Sequence, residues 1–288
     1  MAAPMQTLTY AVHDGVELKG DLYMPNGAGP HPILLGVPGG GWRRGDKSGF
    51  RIWGEYLAAH SIAFFSVDHR KSNAGPIFPQ NVQDILAAAR FICGEAAALN
   101  LDADRFGLLG SSAGAHLAAM TALAGAKPIF SDGYGDDQHA KVAPAPKVLV
   151  GVYGVYDLFT HWQADAWRNA ADNEDFTERF LGGSPYADQH RYFDASPIRH
   201  VEYGVPFKTL LIWGDEDPEV LPAQSRAMLT ALTQARAFVR AMPVSGAGHF
   251  WFSEDAIDDA RGFNSFVAPR LLRFLKTHLV GASAHGGG

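Results

Sequence analysis

The 288-residue chain has a single cysteine, Cys93, and this scarcity excludes several kinds of stabilisation. One thiol can form no disulfide within the chain, and it cannot supply the ligand set of a cysteine-based zinc site. Cys93 lies in the apolar segment LAAARFICGEAA. We therefore expect a buried structural thiol at this position, because free cysteines in apolar helices usually pack as small hydrophobic residues.

Long apolar runs and basic clusters are missing as well. The longest apolar segments, SIAFFSV at 61–67 and VLVGVYGVY at 148–156, are too short to cross a bilayer. A net charge of −6 without a Lys/Arg cluster argues against a nucleic-acid partner. Residues 1–15 lack the basic and apolar parts of a secretory signal. We expect a cytoplasmic protein with no membrane partner, or a secreted one if a signal has been removed.

Strand-like and helix-like segments alternate along most of the chain. This order predicts an α/β fold with a mostly parallel central sheet of about eight strands and helices on both faces. The first two strands form a hairpin around Asp14-Gly15. Residues 155–205, rich in aromatic, acidic and turn residues, predict a cap-like excursion over the sheet edge. We expect residues 1–288 to form one domain, with a flexible tail at 281–288.

The segment LLGSSAGAHLAAM at 108–120 places Gly110 and Gly114 two residues on either side of Ser112. This G-x-S-x-G pattern between a strand and a helix predicts a turn too tight for flanking side chains, with Ser112 exposed at its apex as a nucleophile. A serine at the start of a helix is also a common cap, so the pattern alone leaves both roles open. Ser111 is a competing candidate, but it is not centred between the glycines.

A serine nucleophile needs a base, and the base needs an orienting carboxylate. TLLIWGDEDPEV supplies Asp215 and Asp217 directly after a buried strand, and PVSGAGHFWF supplies His249 after the last strand. The carboxyl ends of parallel strands meet at one sheet edge, so we expect these side chains to meet Ser112. The residue pattern by itself leaves both carboxylates open as partners of His249.

The glycine run in VPGGGW follows an earlier strand and offers backbone N–H groups for an oxyanion, as does the amide after the nucleophile. It lacks the spacing of a nucleotide-binding glycine loop, which disfavours a nucleotide-binding protein. Trp42 follows this run and Phe250 follows His249. Both aromatic residues are candidates for lining a substrate pocket, although large aromatic side chains also serve as ordinary core.

Several segments together resemble a known family: PGGGWRRGDKSGF, FPQNVQDILAAARFI, FGLLGSSAGAHLAA, WGDEDPEV and GHFWF. From about Thr7 to Leu279 the chain is similar to the bifunctional acetyl-xylan and feruloyl esterase-like family. It is more distantly similar to hormone-sensitive-lipase-like carboxylesterases. The resemblance implies an α/β-hydrolase fold and serine-hydrolase chemistry that needs no metal and no organic cofactor. The site residues that it implies are Ser112 as nucleophile, His249 as base, Asp217 as its partner, and the amides of Gly40, Gly41 and Ala113 as oxyanion hole.

Two departures from the family pattern stand out. Pro38 occupies the first position of the family's H-G-G-G motif, where the histidine orients the loop. The segment DHRKSNAGP replaces the common D-Y-R-L-A-P-E run, and within it we expect Asp68 and Arg70 to form a structural pair. The resemblance therefore carries over the chemistry more directly than the shape of the loop and the pocket wall.

These features predict a serine hydrolase that cleaves carboxylic esters, with a short-chain or small soluble ester as its small-molecule partner. One alternative is an acetyl-xylan or feruloyl esterase. Another is a formamide or amide hydrolase of the kynurenine formamidase type, because the segment GGGWRRGDK also resembles a loop of that group. A non-catalytic binding module is disfavoured because the nucleophile, acid and base candidates are all present. The sequence leaves the oligomeric state open, with a homodimer among the options.

Overall fold

A computed structural model describes residues 5–168 and 175–281 of the chain. These residues contain an eight-stranded sheet in the order β1-β2-β4-β3-β5-β6-β7-β8. The strands are Met5–His13 (β1), Val16–Tyr23 (β2), His31–Val37 (β3), Ala63–Val67 (β4), Leu101–Ser111 (β5), Val148–Val152 (β6), Lys208–Gly214 (β7) and Val239–Val244 (β8). Strand β2 is antiparallel to β1 and β4, and all other neighbouring pairs are parallel. The prediction of about eight, mostly parallel strands is confirmed.

The helices connect the parallel strands. In the described ranges they are Arg51–Ala59 (α1), Gln80–Gly94 (α2), Ala113–Ala124 (α3), Pro128–Ser131 (α4), Leu158–Arg168 (α5), Phe176–Leu181 (α6), Gln189–Asp194 (α7), Pro222–Gln234 (α8), Trp251–Glu254 (α9) and Phe263–Leu275 (α10). Short 3-10 turns lie at Lys47–Phe50 and Pro197–His200, and a π-helical turn at Lys276–Val280. The crossovers β3-α1-β4 and β4-α2-β5 run in opposite directions across the sheet. Because such connections are right-handed, α1 and α2 cover opposite faces, as predicted.

The hairpin predicted at the amino-terminal end is confirmed. Asp14 and Gly15 both have positive φ, 51° and 78°, between the antiparallel strands β1 and β2. Two residues of positive φ form the turn whose twist matches that of paired strands. Strand β5 begins at Leu101, well before the apolar run FGLLG at 106–110 that leads into Ser112. Its pairing with β3 jumps from Asp102 to Phe106, so an irregular segment separates the start of β5 from this apolar run.

The sheet brings the candidate site together. Every residue of β3, β4 and β6 is buried, which is typical of strands covered on both faces. The carboxyl ends of β3, β5, β6, β7 and β8 lie at one edge because these strands are parallel. The glycine run, Ser112, Tyr153, Asp217 and His249 follow these five ends in turn. One edge of the sheet therefore carries every predicted site segment.

The predicted pair of Asp68 and Arg70 is wrong. Arg70 instead binds Asp84 on α2, with Nη2 donating over 2.7 Å and Nε over 3.0 Å, and it also contacts Asp14 in the hairpin. Asp68 accepts a hydrogen bond from the Lys47 amide over 2.9 Å. Arg70 turns away from its near neighbour because the buried Asp84 carboxylate, with almost no access to water, needs a cation as its partner.

The remaining predictions have mixed outcomes. Cys93 is half-buried, and burial raises the pKa of its thiol to about 12. The excursion at 155–205 contains α5, α6 and α7, while its residues 169–174 lie outside the described residues, as do 282–288 of the predicted tail. The one-domain organisation stays a prediction. Among the described residues, no helix combines the length and apolarity that a bilayer crossing requires.

Candidate active site

Ser112 lies at the apex of a sharp turn between β5 and α3. Its φ of 54° and ψ of −127° are rare for a residue with a side chain, and its amide donates to the Val152 carbonyl over 2.9 Å. A Cβ at Gly110 would lie 2.3 Å from the Gly114 carbonyl oxygen, and a Cβ at Gly114 would lie 2.0 Å from the Val37 carbonyl oxygen. Both glycines are therefore required by close backbone approach, as the sequence predicts.

The structure brings three of the predicted residues into one hydrogen-bonded chain. His249 Nε2 lies 3.0 Å from Ser112 Oγ, and His249 Nδ1 lies 2.7 Å from Asp217 Oδ2. A carboxylate can only accept, so Nδ1 carries the proton that binds Asp217. In the neutral imidazole, Nε2 is then the acceptor and receives the Ser112 hydroxyl. This arrangement can remove a proton from Ser112.

The two aspartates of the G-D-E-D segment have different partners. Asp217 is 3% exposed, and its second oxygen, Oδ1, accepts from the amides of Glu219 and Val220 over 2.9 and 3.0 Å. Asp215 accepts from the Gly246 amide over 2.7 Å and so binds the two loops to each other. The backbone thus fixes the Asp217 carboxylate in the orientation that reaches His249.

His249 lies between two aromatic rings, of which the sequence predicted Phe250 as a site residue but not Tyr153. The Tyr153 ring lies 4.3 Å from the imidazole centroid, and the Phe250 ring 4.6 Å from it. After His249 the chain is fixed by Trp53, whose indole N–H donates to the Phe252 carbonyl over 2.7 Å. The position of Tyr153 directly after β6 is the signal that could have identified it, since site residues collect at such strand ends.

The glycine loop packs directly against the nucleophile turn. A Cβ at Gly39 would lie 2.8 Å from the Ser111 carbonyl oxygen, so this position must be glycine. Gly40 and Gly41 have φ of 130° and 59°. Within residues 5–168 and 175–281, the amides of Gly40, Gly41 and Ala113 have no hydrogen-bond acceptor. Free N–H groups beside a nucleophile can bind an oxyanion.

A cavity of about 300 Å³ opens beside Ser112 and His249. Trp42 and Phe250 both line it, but Trp42 is only 2% exposed whereas Phe250 is 50% exposed. The excursion contributes His161, Asp165 and Phe176 to the wall. Among the described residues, no group of three or more His, Cys, Asp or Glu side chains is arranged to hold a metal ion.

Comparison with protein families agrees with this architecture. The BD-FAE family model matches residues 20–232. Among curated proteins, esterase LipQ of Mycobacterium tuberculosis is 32% identical over 213 residues, which are 72% of this chain and 47% of the relative. Esterase LipC of the same organism is 29% identical over 237 residues, 81% of this chain and 55% of the relative. The chain thus spans about half the length of these relatives.

A solved structure with the same fold is the thermophilic esterase Est2 of Thermogutta terrifontis. It matches with a TM-score of 0.77 and 22% identity, and the alignment covers 99% of this chain and 95% of that one. At this level of identity the match shows the fold alone. The α/β-hydrolase architecture expected from the sequence is confirmed.

Proposed function

Since the chain belongs to the BD-FAE family, we propose that it is a serine hydrolase that cleaves carboxylic esters through an acyl-enzyme. The observation that carries the proposal is the continuous hydrogen-bonded chain from Asp217 through His249 to Ser112, beside a cavity. The curated relatives LipQ and LipC, both called esterases, support ester hydrolysis as the reaction.

In the first half of the reaction, Ser112 Oγ attacks the ester carbonyl carbon while its proton passes to His249 Nε2. The carbonyl electron pair moves to oxygen and forms an oxyanion, which the amides of Gly40, Gly41 and Ala113 stabilise. Asp217 keeps the proton on Nδ1 and stabilises the imidazolium. When the oxyanion collapses, the alcohol leaves with the proton from His249, and the acyl group stays on Ser112.

In the second half, water takes the place of the alcohol. His249 accepts a proton from the water as its oxygen attacks the acyl carbon, and the same amides stabilise the second oxyanion. Collapse releases the carboxylic acid, and His249 returns its proton to Ser112 Oγ. Every proton is thus received and returned by one imidazole.

The size of the cavity supports small esters as substrates. A volume of about 300 Å³ lies at the lower end of ligand pockets, and the half-exposed Phe250 ring contributes an apolar surface to its lining. Trp42 contributes only a small part of its surface. We propose that Phe250 contacts the substrate and that short acyl chains are preferred over long ones.

The proposal is tested with p-nitrophenyl esters of increasing chain length and a fluorophosphonate probe. We expect the protein to be labelled once, on Ser112, and to turn over short esters best. Ser112→Ala should lower kcat by about 10⁴-fold or more, while the matched variant Ser111→Ala retains turnover and labelling. Loss of activity in Ser111→Ala alone would contradict the assignment, and best activity on chains above about twelve carbons would contradict the small-ester preference.

A further inference from the structure

Trp42, which directly follows Gly41, has an unusual backbone that the structure holds in place. Its φ of 58° costs a residue with a side chain about 1–2 kcal/mol. Its carbonyl accepts from the Ser72 amide over 3.0 Å, and its indole ring stacks on Phe180 at 4.6 Å and an interplanar angle of 6°. Strain that neighbours stabilise in this way points to a role for the exact position of the loop.

The indole N–H of Trp42 has one specific partner. Nε1 donates to His116 Nδ1 over 3.1 Å, and His116 Nε2 donates to the Ala195 carbonyl over 2.7 Å. An indole N–H can only donate, so the His116 proton must lie on Nε2. Burial lowers the pKa of His116 to about 4, so the neutral form that accepts from Trp42 persists over the ordinary pH range.

This bond joins the two halves of the proposed oxyanion hole. Gly40 and Gly41 precede Trp42 on the loop, whereas His116 lies on α3, one turn after Ser112 and Ala113. The loop has Pro38 where the resembled family has its orienting histidine, so that histidine cannot set the loop here. The Trp42–His116 hydrogen bond connects the loop to the helix that begins at the nucleophile.

We infer that His116 is a positioning residue, which through Trp42 sets the Gly40 and Gly41 amides at the oxyanion. This inference rests on the proposed ester hydrolysis. The two nitrogens of the His116 ring have different functions, because Nδ1 fixes the loop whereas Nε2 only fastens α3 to Ala195. The loss of Nδ1 should therefore slow catalysis, and the loss of Nε2 should not.

The experiment uses a matched pair of variants at one position. In His116→Asn the amide oxygen takes the place of Nδ1, and in His116→Gln the amide nitrogen takes the place of Nε2. Trp42→Phe removes the donor but retains the stacking ring. Trp213→Phe is the control, because the buried Trp213 indole N–H has no partner among the described residues. Rates are divided by the fraction of molecules that a fluorophosphonate labels, so misfolded protein is not counted.

We expect Trp42→Phe and His116→Gln to lower kcat per labelled site by about tenfold, with KM nearly unchanged, because a displaced donor weakens transition-state binding. The double variant should be no slower than the worse single one, since both remove the same bond. His116→Asn, which keeps an acceptor for the Trp42 indole N–H, should retain a kcat near the wild-type value. Equal losses in His116→Asn and His116→Gln, or unchanged kcat per labelled site in all variants, would overturn the inference. Failure of the wild-type protein to hydrolyse esters or react with the probe would instead contradict the proposed function.

Discussion

At the scale of single residues, Asp215 and Asp217 show how one turn assigns different partners to chemically identical side chains. Asp217 is buried and receives two backbone N–H groups in addition to His249. Asp215 binds the Gly246 amide at the turn that precedes His249. The Asp217 carboxylate can orient the base, whereas the Asp215 carboxylate can only stabilise the loop.

Replacing each acid by its amide separates these roles. Asp217→Asn should lower kcat by about 10⁴-fold, because an amide N–H facing His249 Nδ1 favours the wrong tautomer. Asp215→Asn retains an oxygen that accepts from Gly246, so its kcat should stay within about threefold of wild type. Steady-state hydrolysis of p-nitrophenyl acetate measures both. A larger loss in Asp215→Asn than in Asp217→Asn would exchange the assignments.

Single residues also mark the limit of sequence reasoning. Ser112 and its glycines could be predicted because the G-x-S-x-G pattern is contiguous in the sequence, although the atom that crowds Gly114 is the Val37 carbonyl oxygen of β3. The bond between Trp42 and His116 could not, since these residues lie 74 positions apart and meet only in the folded chain. Arg70 was assigned to the wrong acid because proximity in sequence says nothing about which carboxylate is buried.

At the scale of elements, the strands were predictable and the connections less so. Buried parallel strands read as continuous apolar runs, which the sequence displays for β3, β4 and β6. The four-residue helix α4 and the short helices of the excursion have too few turns for a periodic pattern. The turn between β5 and α3 is the exception, because the two glycines that its backbone requires are visible in the sequence.

That turn gives a sharp test. In Gly114→Ala the new methyl group would overlap the Val37 carbonyl, so β3 and α3 must separate. We expect a loss of about 3 kcal/mol or more in the free energy of unfolding, together with loss of ester hydrolysis. Gly135→Ala is the matched control, because nothing lies within 4 Å of its added Cβ. Equal stability of the two variants in urea would contradict the crowding argument.

At the scale of the whole molecule, a buried charged cluster fastens the terminal hairpin to the body of the fold. His13 at the end of β1 binds Asp84 of α2 through Nδ1 at 2.8 Å and Asp137 through Nε2 at 2.9 Å. The Tyr134 ring stacks on the imidazole at 3.6 Å, and Arg70 binds the same Asp84. The His13 imidazole therefore connects the hairpin, helix α2 and the segment around Asp137, which are far apart in the sequence.

This cluster predicts a pH-dependent stability. Burial lowers the pKa of His13, but the hydrogen bonds that the imidazole donates to the carboxylates of Asp84 and Asp137 outweigh burial and raise the pKa above 6.5. The folded protein therefore keeps a proton that the unfolded chain releases, and the stabilisation is complete below about pH 6.5 and lost as pH rises through the folded value. At about pH 6, His13→Gln should be less stable by about 2 kcal/mol.

The measurement is urea unfolding of the wild type and of His13→Gln between about pH 6 and 9. Other titrating groups occur in both proteins, so the difference in unfolding free energy reports His13. We expect this difference to shrink as the pH rises. A difference that stays constant or grows over this range would show that the imidazole is not held in its charged form.

The spacing of Ser112, Asp217 and His249 along the chain has a consequence for assembly. The hydroxyl and the imidazole come from positions 137 residues apart and follow β5 and β8, with β6 and β7 between them in the sheet. A nascent or refolding chain would thus have no hydrolytic activity until β8 pairs with β7. The time at which ester hydrolysis begins would then report when folding is complete.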